Sequence, residues 1–117
     1  MMKYILLLVF TLMPIANADS WIKLYVPKGY INYIDRDSIK RKGDFSYYTM
    51  KDDDSEDRYS IVRFKHDCKY SARQTLSRDS YDRVTNKLIR TDIYSTSEMI
   101  QYPRSSTMIK VENMVCR

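Results

Sequence analysis

The chain has 117 residues, of which 44% are hydrophobic, and a formal net charge of +5. This length predicts one domain with a single hydrophobic core. The modest positive charge favours acidic partners in general and selects none in particular. We find no internal repeat and no low-complexity linker, and the only two glycines, Gly29 and Gly43, leave no glycine-rich phosphate loop.

The first 18 residues have the three parts of a secretory signal peptide. Lys3 supplies the positive start, an apolar run extends to Met13, and residues 16–18 (Ala-Asn-Ala) form a cleavage site before Asp19. The run is about half the ~20 residues that a membrane-spanning helix needs, and no cysteine lies near the cleavage site for lipid attachment. We therefore expect an exported chain, periplasmic or secreted to the cell surface, without a transmembrane segment or an apparent lipid anchor. Its single domain is 19–117, which has 19 basic and 15 acidic residues and a net charge of +4.

Alternating and aromatic-rich segments predict an antiparallel sheet. The turn signals between them are Pro27-Lys28-Gly29, a basic turn over residues 40–43, an acidic loop over residues 52–57 and Asn86, which tolerates a positive φ. The predicted strands are Ser20–Val26, Tyr30–Asp35, Asp44–Lys51, Arg58–Leu76, Tyr81–Val84 and Lys87–Tyr94. Residues 95–101 fit neither a strand nor a helix clearly.

The segment Arg58–Leu76 divides by parity, because its even positions are mostly apolar and its odd positions mostly charged. Taken as one long strand, it has a core face, which includes His66 and Cys68, and a basic face about 30 Å long. The basic face is the best candidate ligand-binding surface, for sulfated glycans, acidic protein segments or anionic lipid. The alternative is a solvated strand face. Its residues are Arg63, Lys65, Lys69 and Arg73.

The segment Arg104–Cys116 predicts the one helix, capped by Ser105 or Ser106. Its expected buried face consists of Met108, Ile109, Glu112, Val115 and Cys116. An exported chain with two cysteines predicts a disulfide, and Cys68 and Cys116 are the one pair available. The expected fold is α+β, an antiparallel β-sheet of about five or six strands with the C-terminal helix packed on it and tied by this disulfide.

Metal and catalytic chemistry have little support in the sequence. The acidic loop lacks the glycine and glutamate spacing of an EF-hand, and no second histidine or free cysteine completes a metal set with His66. A buried, hydrogen-bonded His66 is the favoured interpretation. A ribonuclease site of His66, Arg63 and a glutamate is disfavoured, since parity places His66 and Arg63 on opposite faces. We expect no catalytic residues, no metal and no cofactor.

Short segments in a particular order resemble the surface-adhesin protein E family across essentially the whole chain from Trp21 onward. The segments are Tyr33-Ile34-Asp35, Ser38-Ile39, the basic turn with Gly43, Asp67-Cys68, Pro103 followed by Ser105, and Val115-Cys116. The resemblance implies an antiparallel sheet with a packed helix and a role at the bacterial surface. The name-giving member is a lipid-anchored adhesin that binds host matrix glycoproteins and can dimerise. This chain departs from it by lacking the lipidation cysteine.

The expected function is that of an exported non-enzymatic binding protein. Its partner would be a host matrix glycoprotein, an acidic glycan or an envelope protein, contacted through the basic sheet face. The alternative is a periplasmic accessory or inhibitor protein that binds another bacterial protein. We expect no nucleic-acid partner, and a homodimer is compatible with the resemblance.

Overall fold

The computed structural model describes residues 20–25, 31–53, 55–94, 98–102 and 105–117. The predicted leader and the predicted strand ends Val26 and Tyr30 lie outside these ranges. Within them, the chain forms an eight-stranded antiparallel sheet and one C-terminal helix, which a Cys68–Cys116 disulfide joins. The predicted α+β class, helix and disulfide are confirmed, and the prediction of five or six strands is wrong.

Six strands form the continuous sheet and two short strands extend it. The strands are β1 Trp21–Tyr25, β2 Ile31–Asp35, β3 Lys40–Lys42, β4 Phe45–Asp52, β5 Arg58–Asp67, β6 Ala72–Asp82, β7 Leu88–Ile93 and β8 Ile100–Gln101; the helix is α1 Ser106–Val115. The spatial order is β1-β2-β4-β5-β6-β7, while β3 pairs with β4 and β8 pairs with β6.

The predicted basic turn contains β3. Lys40–Lys42 pairs with β4 through a two-residue turn in which Gly43 has a φ of +60°. A tight hairpin turn of this kind requires positive φ, which glycine adopts without steric cost. The predicted turn at Asn86 is confirmed in the same way, because Asn86 has a φ of +57° between β6 and β7.

The segment predicted as one long strand is a hairpin. β5 ends at Asp67, and the turn over residues 68–71 reverses the chain into β6. Asp67 Oδ1 accepts hydrogen bonds from the backbone N–H groups of Lys69 and Tyr70, at 2.9 and 3.1 Å, and Ser71 takes a φ of +51°. An aspartate that bonds its own backbone in this way starts a turn. The alternation of apolar and charged residues continues across the turn, so the pattern alone did not reveal it.

The core lies on one face of the sheet, beneath α1, and we call this face the inner face. Its buried side chains come from β1, β2, β4, β5 and α1. They are Leu24, Ile34, Tyr48, Met50, Val62, Phe64, Val111 and Val115. Partners in register share a face, so the pairs Tyr48–Phe64 and Met50–Val62 lie side by side in this layer.

The helix begins after Ser105, whose Oγ accepts a hydrogen bond from the Met108 N–H at 3.2 Å. Its buried residues are Thr107, Val111 and Val115, spaced four apart. Of the predicted face, Val115 is buried and Cys116 packs against the core, whereas Ile109 is 38% exposed. Apolar side chains occur on two neighbouring stripes of this helix. Because Cys116 follows the last helical residue, its position did not identify which of the two stripes is buried.

This assignment of the buried stripe predicts different costs for two alanine substitutions. Val111→Ala should lower the free energy of unfolding by about 2 kcal/mol, since it removes two buried methyl groups and leaves a cavity. Ile109→Ala should change it by less than about 0.5 kcal/mol, as is usual for surface positions. Urea denaturation of the two variants measures both, and equal losses would contradict the assignment.

Candidate functional site

The candidate site is on the outer face, the side of the sheet opposite α1. Because partners in register share a face, Lys42 pairs there with Phe45, Tyr47 with Lys65, and Lys51 with Tyr33. The same register places six cationic residues on this side. They are Lys23, Lys40, Lys42, Lys51, Arg63 and Lys65, and we call them, with the aromatic rings between them, the outer basic face.

Three lysines of the outer basic face, Lys42, Lys51 and Lys65, lie over aromatic rings. Lys65 Nζ is 4.4 Å from the centroid of Phe45, and Lys51 Nζ is 4.7 Å from that of Tyr59 and 5.4 Å from that of Tyr33. Ammonium groups at these distances are attracted by the electron-rich ring faces. The rings therefore hold the positive charges close to an apolar surface, which presents a partner with both kinds of contact.

A second set of contacts extends this arrangement toward β3. Lys42 Nζ lies 5.6 Å from the centroid of Tyr47, and Lys65 Nζ lies 6.0 Å from the same ring. Two ammonium groups thus flank one tyrosine in the middle of the face. An anionic group placed there would meet both charges.

A cleft of about 400 Å³ lies beside this tyrosine. Four of its lining residues belong to the exposed side of β3, β4 and β5, namely Lys40, Tyr47, Thr49 and Arg63. The 3-10 turn Arg36–Ser38 borders it, and Ser38 Oγ accepts a hydrogen bond from the Thr49 N–H at 2.8 Å. That bond fixes the turn against β4, so the cleft has a defined wall.

The predicted stripe does not lie on one face. Arg63 is on the outer face, where its Nη1 is 3.1 Å from Asp79 Oδ2, and Lys65 is beside it. Lys69 is exposed in the turn after β5. The β5–β6 turn places Arg73 opposite His66 on the inner face, which contradicts its predicted position.

The pKa of the Asp79 carboxyl is lowered by hydrogen bonds from the Thr91 hydroxyl and from Arg63. Asp79 is therefore charged and compensates Arg63.

The sequence analysis did not identify Lys42 and Lys51 as members of the same surface. Alternation along β4 places Lys51 on the same face as Phe45 and Tyr47. Only the pairing of β4 with β2 and β3 shows that Lys42 and Lys51 share this face.

A separate polar cluster surrounds His66 on the inner face. The imidazole is completely buried, with Nδ1 3.0 Å from Tyr48 Oη and Nε2 2.7 Å from Tyr102 Oη. Glu112 Oε1 lies 3.9 Å from Nε2 and accepts a hydrogen bond from Ser71 Oγ at 2.7 Å. The interpretation of a buried, hydrogen-bonded histidine is confirmed, and the approach of Glu112 was not anticipated.

Burial and charge shift the ionisation of this cluster. Burial lowers the pKa of His66, Glu112 opposes that shift, and Arg73 adds to it. Burial also raises the pKa of the Tyr48 and Tyr102 hydroxyls, which stay protonated. The neutral imidazole therefore has one nitrogen that donates to a tyrosine oxygen and one that accepts from a tyrosine hydroxyl. Arg73 packs over Phe64, with its guanidinium carbon 3.9 Å from the ring centroid.

Acidification should destabilise the fold through His66. The folded-state pKa is below the ordinary value of 6.5, so the unfolded chain takes up the proton first as the pH falls. The contribution of His66 to stability is complete above the unfolded pKa, falls as the pH drops toward the folded pKa, and changes no further below it. His66 is the only histidine, so NMR titration of its ring reports this pKa directly. An imidazole pKa at or above the ordinary value would contradict the assignment.

Comparisons of the chain with models of protein families, with curated proteins and with solved structures each find no match. The resemblance to adhesin E therefore stays a prediction. In the described ranges, no helix combines the length and the apolar character required to cross a bilayer.

Proposed function

We propose that this chain is an exported, non-enzymatic binding protein whose outer basic face contacts an acidic macromolecule outside the cytoplasm. Acidic glycans, including those of matrix glycoproteins, are the ligand class. The observation that carries the proposal is the set of three lysines held over aromatic rings on one face, Lys42, Lys51 and Lys65.

Carboxylates on the outer face form no ion pair with these three lysines in the described part of the chain. Asp35 and Asp67 lie on the same face, and each accepts backbone hydrogen bonds in its own turn. Asp79 pairs with Arg63. The ion pairs found in the described part of the chain involve Arg63, His66 and further arginines, and none involves the three lysines. The charge of the lysines is thus available to a partner.

The geometry of the face suits an extended polyanion. Adjacent strands are about 4.8 Å apart, and residues on one face of a strand repeat every ~6.6 Å, so the positive charges are distributed over several strands. Aromatic rings between them offer the rigid, amphipathic contact area typical of binding surfaces. A sulfated or carboxylated sugar chain combines regularly repeated anions with apolar ring faces, and it complements both features.

The position of His66 supports the non-enzymatic part of the proposal. The imidazole of His66 is completely buried on the inner face. Arg63, which the disfavoured ribonuclease site would require, lies on the opposite face. A substrate on the outer basic face would therefore have no access to the histidine.

Binding to immobilised heparin tests the proposal. The purified, disulfide-intact chain 19–117 should bind heparin saturably at about 50 mM salt and at least tenfold more weakly at about 300 mM, because added ions shorten the Debye length. Neutral dextran is the matched control and should not bind. If heparin does not bind at the lower salt concentration, the acidic-glycan proposal is wrong. That result would favour the alternative predicted from the sequence, an accessory or inhibitor protein.

A further inference from the structure

We infer that reduction of the Cys68–Cys116 disulfide by a dithiol converts the cluster at the inner face into a four-ligand zinc site. The ligands would be His66 Nε2, Glu112 Oε1 and the sulfurs of Cys68 and Cys116. This inference does not depend on the proposed glycan binding, because it concerns the opposite side of the sheet.

Three of the four donor atoms already lie together, and the fourth is bonded to one of them. One ligand atom from each of His66, Glu112 and Cys116 lies within 4.8 Å of the others, and the Cys68 sulfur is bonded to that of Cys116. In a tetrahedral site with Zn–S distances of about 2.3 Å, two sulfurs are about 3.8 Å apart. Cleavage of the disulfide therefore requires only a small separation of the two side chains, whose Cα atoms are 5.7 Å apart.

The donor set selects a particular class of metal. Two thiolates, an imidazole and a carboxylate are ligands that Zn²⁺ accepts in tetrahedral geometry. Ca²⁺ and Mg²⁺ require oxygen ligands and would not use the sulfurs. While the disulfide is intact, its sulfurs are not thiolates, so the site forms only in the reduced protein.

The polar partners of the ligands are also in place. Tyr48 Oη bonds His66 Nδ1, which directs Nε2 toward the cluster, and Ser71 Oγ holds Glu112 Oε1. Outer hydrogen bonds of this kind orient metal ligands and are part of a working site. The Tyr102 hydroxyl now occupies the position next to Nε2, and the metal would displace it.

A cation next to the sulfurs favours their ionised form. The Arg41 guanidinium contacts Cys68 Sγ and donates a hydrogen bond to the Cys116 carbonyl oxygen at 3.2 Å. A neighbouring arginine stabilises a thiolate over a thiol. Arg41 therefore compensates part of the negative charge that two thiolates and Glu112 would bring to the site.

Formation of the zinc site requires a dithiol as the reductant of the disulfide. A dithiol donates two electrons and two protons, the Cys68–Cys116 bond breaks, and the dithiol becomes a cyclic disulfide. Two cysteine thiols result. Binding of Zn²⁺ then releases their two protons to solvent.

Titration with Co²⁺ tests this inference, because tetrahedral cobalt with thiolate ligands has intense visible bands and a thiolate-to-metal charge-transfer band. Chain 19–117 is reduced with dithiothreitol, separated from it without oxygen and titrated. We expect one Co²⁺ per chain, loss of the colour on addition of Zn²⁺, and no such bands in the oxidised protein. Absence of tetrahedral bands in the reduced protein would overturn the inference.

Substitution of one ligand distinguishes a folded four-ligand site from metal binding by the two cysteine thiolates alone. Glu112→Gln keeps an acceptor for Ser71 and should weaken Co²⁺ binding at least about tenfold, while Glu56→Gln, at an exposed position, should leave it unchanged. If reduction unfolds the chain, circular dichroism should show that the metal restores the folded spectrum. Binding without this recovery, or with equal affinity in both variants, would also overturn the inference.

Discussion

The double substitution Lys42→Glu/Lys65→Glu is expected to lower the affinity of chain 19–117 for heparin by about 100- to 1,000-fold. Each lysine near an anionic surface contributes about 1 kcal/mol of attraction, and a glutamate in its place adds repulsion of similar size. The two reversals together cost about 3–4 kcal/mol, which corresponds to that loss of affinity. The effect is large because Lys42 and Lys65 flank the same ring, Tyr47. Isothermal titration calorimetry at low salt measures the affinity of both proteins for heparin.

A matched control separates the local surface from the total charge. Lys110→Glu/Arg117→Glu changes the net charge by the same amount, but both residues are exposed on or just beyond α1, on the other side of the molecule. This variant should bind heparin within about tenfold of the unmodified chain, since distant charges are screened. Equal losses in the two double variants would show that only net charge matters, and the outer basic face would not be the binding site.

Removing the disulfide with Cys68→Ala/Cys116→Ala is expected to lower the free energy of unfolding by about 4 kcal/mol in the chain-entropy model. The two cysteines are 48 residues apart in sequence, so the bridge restricts a long loop of the unfolded chain. Small domains have only about 5–15 kcal/mol of net stability, so the variant should unfold at a much lower urea concentration.

The double alanine variant also removes both sulfurs from the proposed metal site, so added Zn²⁺ should not restore its stability. Reduced chain 19–117 is the natural comparison, because it should lose similar stability without metal and regain part of it with Zn²⁺. A loss below about 1 kcal/mol in the alanine variant would contradict the account of the bridge as a main stabilising element.

The strands with turn signals on both sides could be predicted from the sequence. β2, β4 and β7 lie within a few residues of their predicted bounds, because alternation and turn residues act locally. The hairpin of β5 and β6 could not be predicted in this way. Its turn contains no glycine or proline, and it depends on Asp67 bonding the backbone and on Ser71 adopting a positive φ.

The candidate site could be predicted only in part, for a different physical reason. Alternation within one strand predicts that Arg63 and Lys65 share a face. Lys42 and Lys51 lie on the same face only because of the pairing between strands, which a single sequence does not specify. The position of Arg73 changed faces with the missed turn. The contact of His66 with Glu112 crosses from β5 to α1, and it required the helix to be placed on the sheet.

NMR titration of ¹⁵N-labelled chain 19–117 with a short heparin oligosaccharide tests the central claim most directly, because it locates the bound ligand residue by residue. The account predicts that the largest amide shifts occur at Phe45, Tyr47, Lys51 and Lys65, on the outer basic face. Largest shifts in α1, at residues such as Lys110 and Asn113, would contradict it and place the binding surface on the opposite side of the sheet.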